Sequence, residues 1–266
     1  MATAASSRRH DPRPPDVRAC PGRFVWPSSS TRLPVLRKAR RRFAEFLARR
    51  FPRLVEDAFA LRYYGVSDAV PPWHQTTWMG RAILKPPSDL WNYHELIFEL
   101  RPDLIIETGT WSGASAHYLA HQLDLLDHGE ICTVDLHPQP DRPGHPRVSY
   151  LEGSSTDEQV FEKLQRKAAD CPRVMVILDS AHTQAHVAEE LRLYSQLVTP
   201  GSFLVVEDTS VNGHPVLPDH GPGPMEALTD FLRENDDFVV DRRDSKFMLS
   251  FSPHGFLRRV ERADES

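Results

Sequence analysis

The chain has 266 residues, enough for one large α/β domain, or for one domain plus an appendage. It carries 32 Lys plus Arg against 37 Asp plus Glu, and this net charge of -5 argues against a nucleic-acid protein as a whole. Three widely spaced cysteines, Cys20, Cys132 and Cys171, exclude a disulfide framework or a CxxC zinc site and suit a reducing compartment, so a cytoplasmic location is expected. No apolar run approaches the roughly 20 residues of a membrane span.

Residues 1–34 are rich in Pro, Arg and Ser without periodicity and read as a disordered tail. The start lacks the apolar core of a secretory signal. Its Ser/Arg/Ala content fits a transit peptide, but Asp11 and Asp16 spoil that pattern. "PVLRKARRRFAEFLARRFPRL" then places Leu36, Phe43, Phe46, Leu47 and Phe51 near one helical face with arginines opposite. This predicts an amphipathic helix docked on the domain or on a neighbouring subunit, with membrane-surface or nucleic-acid contact as the alternative. Residues 54–87, which include "PPWHQTTWMGRAILKPP", read as an ordered loop. The segment 35–87 is therefore expected to serve as a lid or an oligomer contact, ahead of a main domain over 88–260.

From Ser88 the chain alternates. "SDLWNYHELIFEL" predicts a helix opened by a Ser cap. "DLIIE" predicts a buried strand, "SGASAHYLAHQLDLL" a helix, and "EICTVD" and "RVSYLEG" two strands. "TDEQVFEKLQRKA" is a helix, "RVMVILD" a strand, "QAHVAEELRLYSQLV" a helix and "GSFLVVED" a strand. "GPMEALTDFLREN" is a helix with Pro224 in its first turn, where a missing N–H costs little. "DFVVD" and "KFMLSF" are read as two closing strands. Strands alternating with helices of this length imply βαβ crossovers. The expected fold is a Rossmann-like, doubly wound α/β sheet, mainly parallel with an antiparallel C-terminal strand. Ligands of such sheets bind beyond the carboxyl ends of the strands, at the switch point.

The first of these strands ends "IIETGTWSGASA", where Glu107, Gly109 and Gly113 form an ExGxxxG turn. Trp111 replaces the second glycine of a dinucleotide fingerprint. An acid before the first glycine would repel a pyrophosphate and suits a cationic ligand such as S-adenosylmethionine. The second strand ends in Asp135, placed to accept both ribose hydroxyls. Thr110, Ser115 and Ser155 complete the expected cofactor set.

The later strands end in carboxylates: Asp179 after "VMVIL", Glu207 and Asp208 after "LVV". Three converging acids cannot all stay ionised without a cation. Oxygen-only ligands select a hard ion, Mg2+ or Ca2+. The bland alternative is that Asp179 and Asp208 are helix or turn caps. His182 sits where an imidazole of pKa near 6.5 can take a proton. His186 and His117 lie within helices and read as structural.

The quoted motifs, together with "VDLHP" and "NGHPV…GPGPMEALTDFL", make residues 76–258 resemble the cephalosporin hydroxylase/rhamnosyl O-methyltransferase family. The resemblance implies a class I methyltransferase fold and Mg2+-dependent methyl transfer from S-adenosylmethionine to a macrolide-sugar, rhamnosyl or related natural-product hydroxyl. It implies that Glu107, Gly109 and Asp135 hold the cofactor, that Asp179, Glu207 and Asp208 hold the metal, and that His182 is the general base. Where the family often has "DSDH", this chain has Ala181 before His182, which removes a neighbouring acid. The base is then expected to titrate near the value of a free histidine.

The expected partner is a small hydroxyl-bearing acceptor, with a homo-oligomer, no nucleic acid and no membrane span. The segment around Trp73 to Trp78 and the loop "TSVNGHPVLPDHGPGP" are expected to wall the acceptor. Two rival readings remain. One is a hydroxylase that binds iron through His182, His186 and Asp179. The other is a non-catalytic S-adenosylmethionine-binding partner protein.

Overall fold

The computed structural model describes residues 33–65, 70–137 and 139–261. Residues 1–32 of the predicted tail, Cys20 among them, lie outside the described residues, whereas Leu33 and Pro34 are already helical. The chain divides into two compact units, 1–50 and 51–266. In the first, helix α1 (Leu33–Arg50) carries Leu36 and Phe43 exposed and ends on Arg49 and Arg50, a sign of charge that suits a helix C-terminus. The amphipathic pattern predicts one helix through Pro52. Instead α1 ends at Arg50 and a new helix, α2 (Pro52–Tyr64), begins with Pro52 in its first turn, because proline cannot donate within a helix. Of the region read as loop from residue 54, the part through Tyr64 is thus helical. It continues through a short 3-10 turn (Pro72–Gln75) and a two-stranded hairpin, β1 (Thr77–Trp78) and β2 (Arg81–Ala82).

Among the described residues the main sheet has seven strands. β3 (Leu104–Thr108), β4 (Glu130–Asp135), β5 (Val148–Glu152), β6 (Val174–Leu178) and β7 (Phe203–Val206) are parallel. β8 (Phe238–Val240) and β9 (Phe256–Arg259) pair antiparallel with each other, and β9 runs antiparallel to β7. The order is β5-β4-β3-β6-β7-β9-β8, so the winding reverses between β3 and β6. One expected strand is misplaced. "KFMLSF" falls on a 3-10 turn (Arg242–Phe247) and the loop after it, and the antiparallel strand is Phe256–Arg259. Its two apolar residues, Phe256 and Leu257, are fully buried, yet they are too few for period-2 reading.

Both faces of the sheet are covered, as continuous apolar strands require. Ile105, Ile131, Met175, Ile177, Val205 and Phe256 face helices α3 (Pro87–Leu100) and α4 (Ala114–Leu126). Leu104, Ile106, Val134, Val176, Leu204 and Val206 face α5 (Glu158–Ala169), α6 (Gln184–Tyr194) and α7 (Pro224–Glu234). The predicted Ser cap of α3 is not one: Pro86 is the cap residue, Pro87 opens the helix and Ser88 lies inside its first turn. No helix among the described residues is long and apolar enough to cross a membrane.

Candidate active site

Register places the ends of β3 and β6 side by side at the switch point, with Thr108 opposite Leu178. The next residues touch: the Asp179 amide donates to the Thr108 carbonyl at 3.1 Å. Gly109 turns away with φ +87°, and a Cβ there would lie 1.8 Å from the Asp179 carbonyl oxygen. Only glycine lets the two strand ends close in this way. Above them opens a cavity of about 540 Å3.

Most of the sequence-predicted residues meet on its wall. Gly109, Thr110, Ser115, Asp135 and Ser155 line one part, and Asp179, His182, Glu207 and Asp208 line another. Glu107 and Gly113 are not on the wall. Glu107 is fully buried and accepts a hydrogen bond from Thr133 Oγ1 at 2.7 Å. Thr133 in turn shares a 2.7 Å bond with Thr110 on the wall. Glu107 Oε1 is left without a hydrogen-bond partner, and burial raises the carboxyl pKa. Asp135 accepts the Trp111 amide at 2.6 Å and the His137 amide at 2.8 Å, one on each oxygen. Each carboxylate oxygen keeps a further lone pair for a diol. The narrow glycine turn and the oriented Asp135 fit the expected cofactor.

The acids at the ends of β6 and β7 are not caps. Thr183 holds the cap position of α6. Lys85 donates to Asp179 Oδ2 at 2.6 Å and to Glu207 Oε2 at 2.5 Å, and Tyr93 donates to Glu207 Oε1 at 2.5 Å. The acids hold the Lys85 ammonium charged in spite of its burial. Burial and Asp179 push the Glu207 pKa up, and burial does the same to Asp208. Burial works the same way on Asp179, but Lys85 and His182 outweigh it and lower the value. Asp208 sits at φ +54°, a strained left-handed position of the kind found at functional sites.

His182 Nε2 lies 3.1 Å from Asp208 Oδ2 and 3.5 Å from Asp179 Oδ1. Burial disfavours its charged form, but Asp179, Asp208 and Glu207 prevail and raise its pKa to about 9. The expectation of a free-histidine value is therefore corrected: with no cation among the acids the imidazole holds a proton. Asp179, His182 and Asp208 bring potential ligand atoms within 4.8 Å of one another. Lys85 compensates one of the three carboxylates, and a divalent ion would compensate the other two. On donor chemistry and charge the residues fit Mg2+.

Lys85 and Tyr93 escaped sequence reading. The available signal was a lone lysine in the apolar, Pro-flanked run "AILKPP" of a chain with three strand-end acids to balance. Tyr64, Trp73 and Phe251 also line the cavity and form an aromatic cluster with ring centroids 5.3–5.7 Å apart. Trp73 and the loop residues Val211, Leu217 and His220 are on the wall as expected. Trp78 is not. It packs on Tyr118 and bonds His121. His186, read as structural, lies on the cavity wall, where it bonds Ser155 and Ser180 and pairs with Glu190.

A family model described as Rhamnosyl O-methyltransferase/CmcI matches residues 71–260. A rhamnosyl O-methyltransferase of Mycobacterium tuberculosis is 39% identical over 245 residues, 89% of this chain and 99% of the relative. One from Mycobacterium leprae is 39% identical over 193 residues, covering 70% and 84% of the two chains. A solved CmcI structure described as holding Mg and SAM superposes with a TM-score of 0.55 at 23% identity, over 71% of this chain and 78% of the other, and shares the fold.

Proposed function

The chain belongs to the Rhamnosyl O-methyltransferase/CmcI family, and from that premise we propose that it is a Mg2+-dependent O-methyltransferase using S-adenosylmethionine on a sugar or related natural-product hydroxyl. The observation that carries the reading is that the glycine turn with Asp135 and the acids with His182 open into one cavity. When bound, S-adenosylmethionine supplies an electrophilic methyl group, and Mg2+ lowers the pKa of a chelated hydroxyl.

In this reading Gly109, Thr110, Ser115, Asp135 and Ser155 position the cofactor. Glu107 supports Thr110 from beneath through Thr133. Asp179, Glu207 and Asp208 hold the metal, and Lys85 and Tyr93 fix the Glu207 carboxylate. His182 Nε2 is the proton acceptor. The acids that raise its pKa are the groups a divalent ion would neutralise, and without their charge the imidazole no longer retains its proton. Most of the acceleration then comes from holding hydroxyl and methyl donor together. His186 points to Ser155, Ser180 and Glu190, which disfavours the iron-binding alternative with Asp179 and His182. The reading carries with it a cytoplasmic homo-oligomer without a nucleic-acid partner; the net charge of -5 supports the last point.

The test is transfer of labelled methyl from S-adenosylmethionine to a panel of rhamnosyl and deoxysugar glycosides. Transfer should require Mg2+ and disappear in Asp179→Asn with cofactor binding retained. Undiminished turnover in excess chelator would sink the metal assignment.

A further inference from the structure

We propose that His121, Asp124 and His145, with His117 beside them, form a binding site for a borderline transition-metal ion such as Zn2+ or Ni2+, separate from the acid-lined cavity. One ligand atom from each of His121, Asp124 and His145 lies within 4.8 Å of the others. None of the four residues is on the cavity wall. His117, His121 and Asp124 are spaced i, i+4 and i+7 on α4, so they share one helix face. His145 comes from the loop before β5. The rings of His117 and His121 are 4.3 Å apart, and that of His145 lies 5.7 and 5.4 Å from them. Imidazoles with one carboxylate suit Zn2+, Ni2+ or Cu2+ rather than Mg2+. A tetrahedral ion with bonds of about 2.1 Å needs ligands about 3.4 Å apart, so side-chain shifts of about 1 Å close the set.

The surroundings orient the carboxylate. Arg147 Nε donates to Asp124 Oδ1 at 2.8 Å, and its Nη2 donates to Asp127. Asp124 Oδ2 therefore faces His145 Nε2, 2.9 Å away. Such outer contacts are what hold metal ligands in place. The proton now shared by that pair gives way to the ion and moves to His145 Nδ1, at the expense of the 3.2 Å bond from the Arg147 amide. His121 makes a second exchange. Trp78 Nε1 donates to His121 Nδ1 at 2.9 Å. An ion on Nδ1 displaces that donor, and an ion on Nε2 sends the ring proton to Nδ1, so either mode releases Trp78. Burial, with smaller contributions from the nearby His121, His145 and Arg81, lowers the His117 pKa, which favours the neutral ring that a metal ion needs.

The experiment uses the full chain, stripped of metal by a chelator and refilled with excess Mg2+. It is titrated with Zn2+ by calorimetry and with Co2+ by visible absorption. The expected result is one Zn2+ per chain and a four-coordinate Co2+ spectrum. His121→Gln and His145→Ala should each weaken Zn2+ by at least about 10-fold, the lower end for loss even of an outer-shell partner. Asp179→Asn should bind as wild type does, and Trp78→Phe, lacking the competing donor, should bind more tightly. Equal affinity in wild type and both folded histidine variants overturns the site, as does loss of binding in Asp179→Asn. Unchanged affinity in Trp78→Phe overturns the exchange with the indole.

Discussion

The ammonium of Lys85 lies 2.6 Å from Asp179 Oδ2, although 94 residues separate the two in sequence. It also reaches Glu207, so one buried cation ties the end of β6 to the end of β7. Lys85→Met removes that cation and leaves the carboxylates uncompensated. Breaking such a buried network costs about 3–5 kcal/mol. Urea denaturation without divalent ions should show a loss of that size. Saturating Mg2+ should recover part of it, and should stabilise the variant more than the wild type.

Gly109→Ala should be far more damaging than its one methyl suggests. The new Cβ would meet the Asp179 carbonyl at 1.8 Å, at φ +87°. A left-handed non-glycine residue costs about 1–2 kcal/mol and overpacking about 1–3 more. A fall in stability of roughly 2–5 kcal/mol is expected, with loss of S-adenosylmethionine binding. Calorimetry that finds wild-type cofactor affinity in a stably folded variant would contradict the cradle.

His182→Ala should slow methyl transfer by roughly 100- to 10,000-fold, the usual range for a lost general base. Cofactor binding should survive, because the His182 ion pairs among the described residues are with Asp179 and Asp208 and not with Asp135 in the cofactor half of the site. Single-turnover rates decide the point. A wild-type rate in the variant would make His182 structural.

Glu226 offers a test of pH dependence away from the cavity. Its Oε2 accepts the Gly223 amide at 2.7 Å, and its Oε1 contacts Asn212 at 3.0 Å and His214 at 2.9 Å. Partial burial opposes ionisation, but these bonds lower the pKa from 4.5 to about 2. The folded-state value lies below the unfolded one, so the stabilisation is complete above about pH 4.5 and fades as pH falls toward 2. Solvent screening limits it to about 1 kcal/mol. Thermal melts should show Glu226→Gln lower than wild type by about 2–4 °C at pH 7, with the gap narrowing between pH 5 and 3.

Much of this was legible before any coordinates. "VMVIL" and "LIIE" are continuous apolar runs because both faces of a parallel sheet are covered, and such runs identify themselves. Gly109, Asp135, Asp179 and Asp208 could be named because strand ends are readable, and ligands gather at strand ends. The closing strand was not legible: two buried residues after a polar turn carry no period, and β9 is fixed by pairing between β7 and β8 rather than by local pattern. The break at Phe51 was missed because apolar spacing continues through Pro52 while the helical hydrogen bonds do not.

The sequence by itself determined the order of strands and helices from α3 to β8, the glycine turn and the acids that end β4, β6 and β7, because each is written in residues close together along the chain. Only the tertiary structure decided what surrounds those acids. Lys85 and Tyr93 come from the segment before α3 and from α3 itself, and they reach Glu207 across more than 100 residues. Their charge and hydrogen bonds act on the ionisation of Asp179 and Glu207, and Asp179, Asp208 and Glu207 in turn raise the His182 pKa to about 9. Electrostatics of that kind depends on distance in space, and distance in space follows from packing, which no local pattern of residues records.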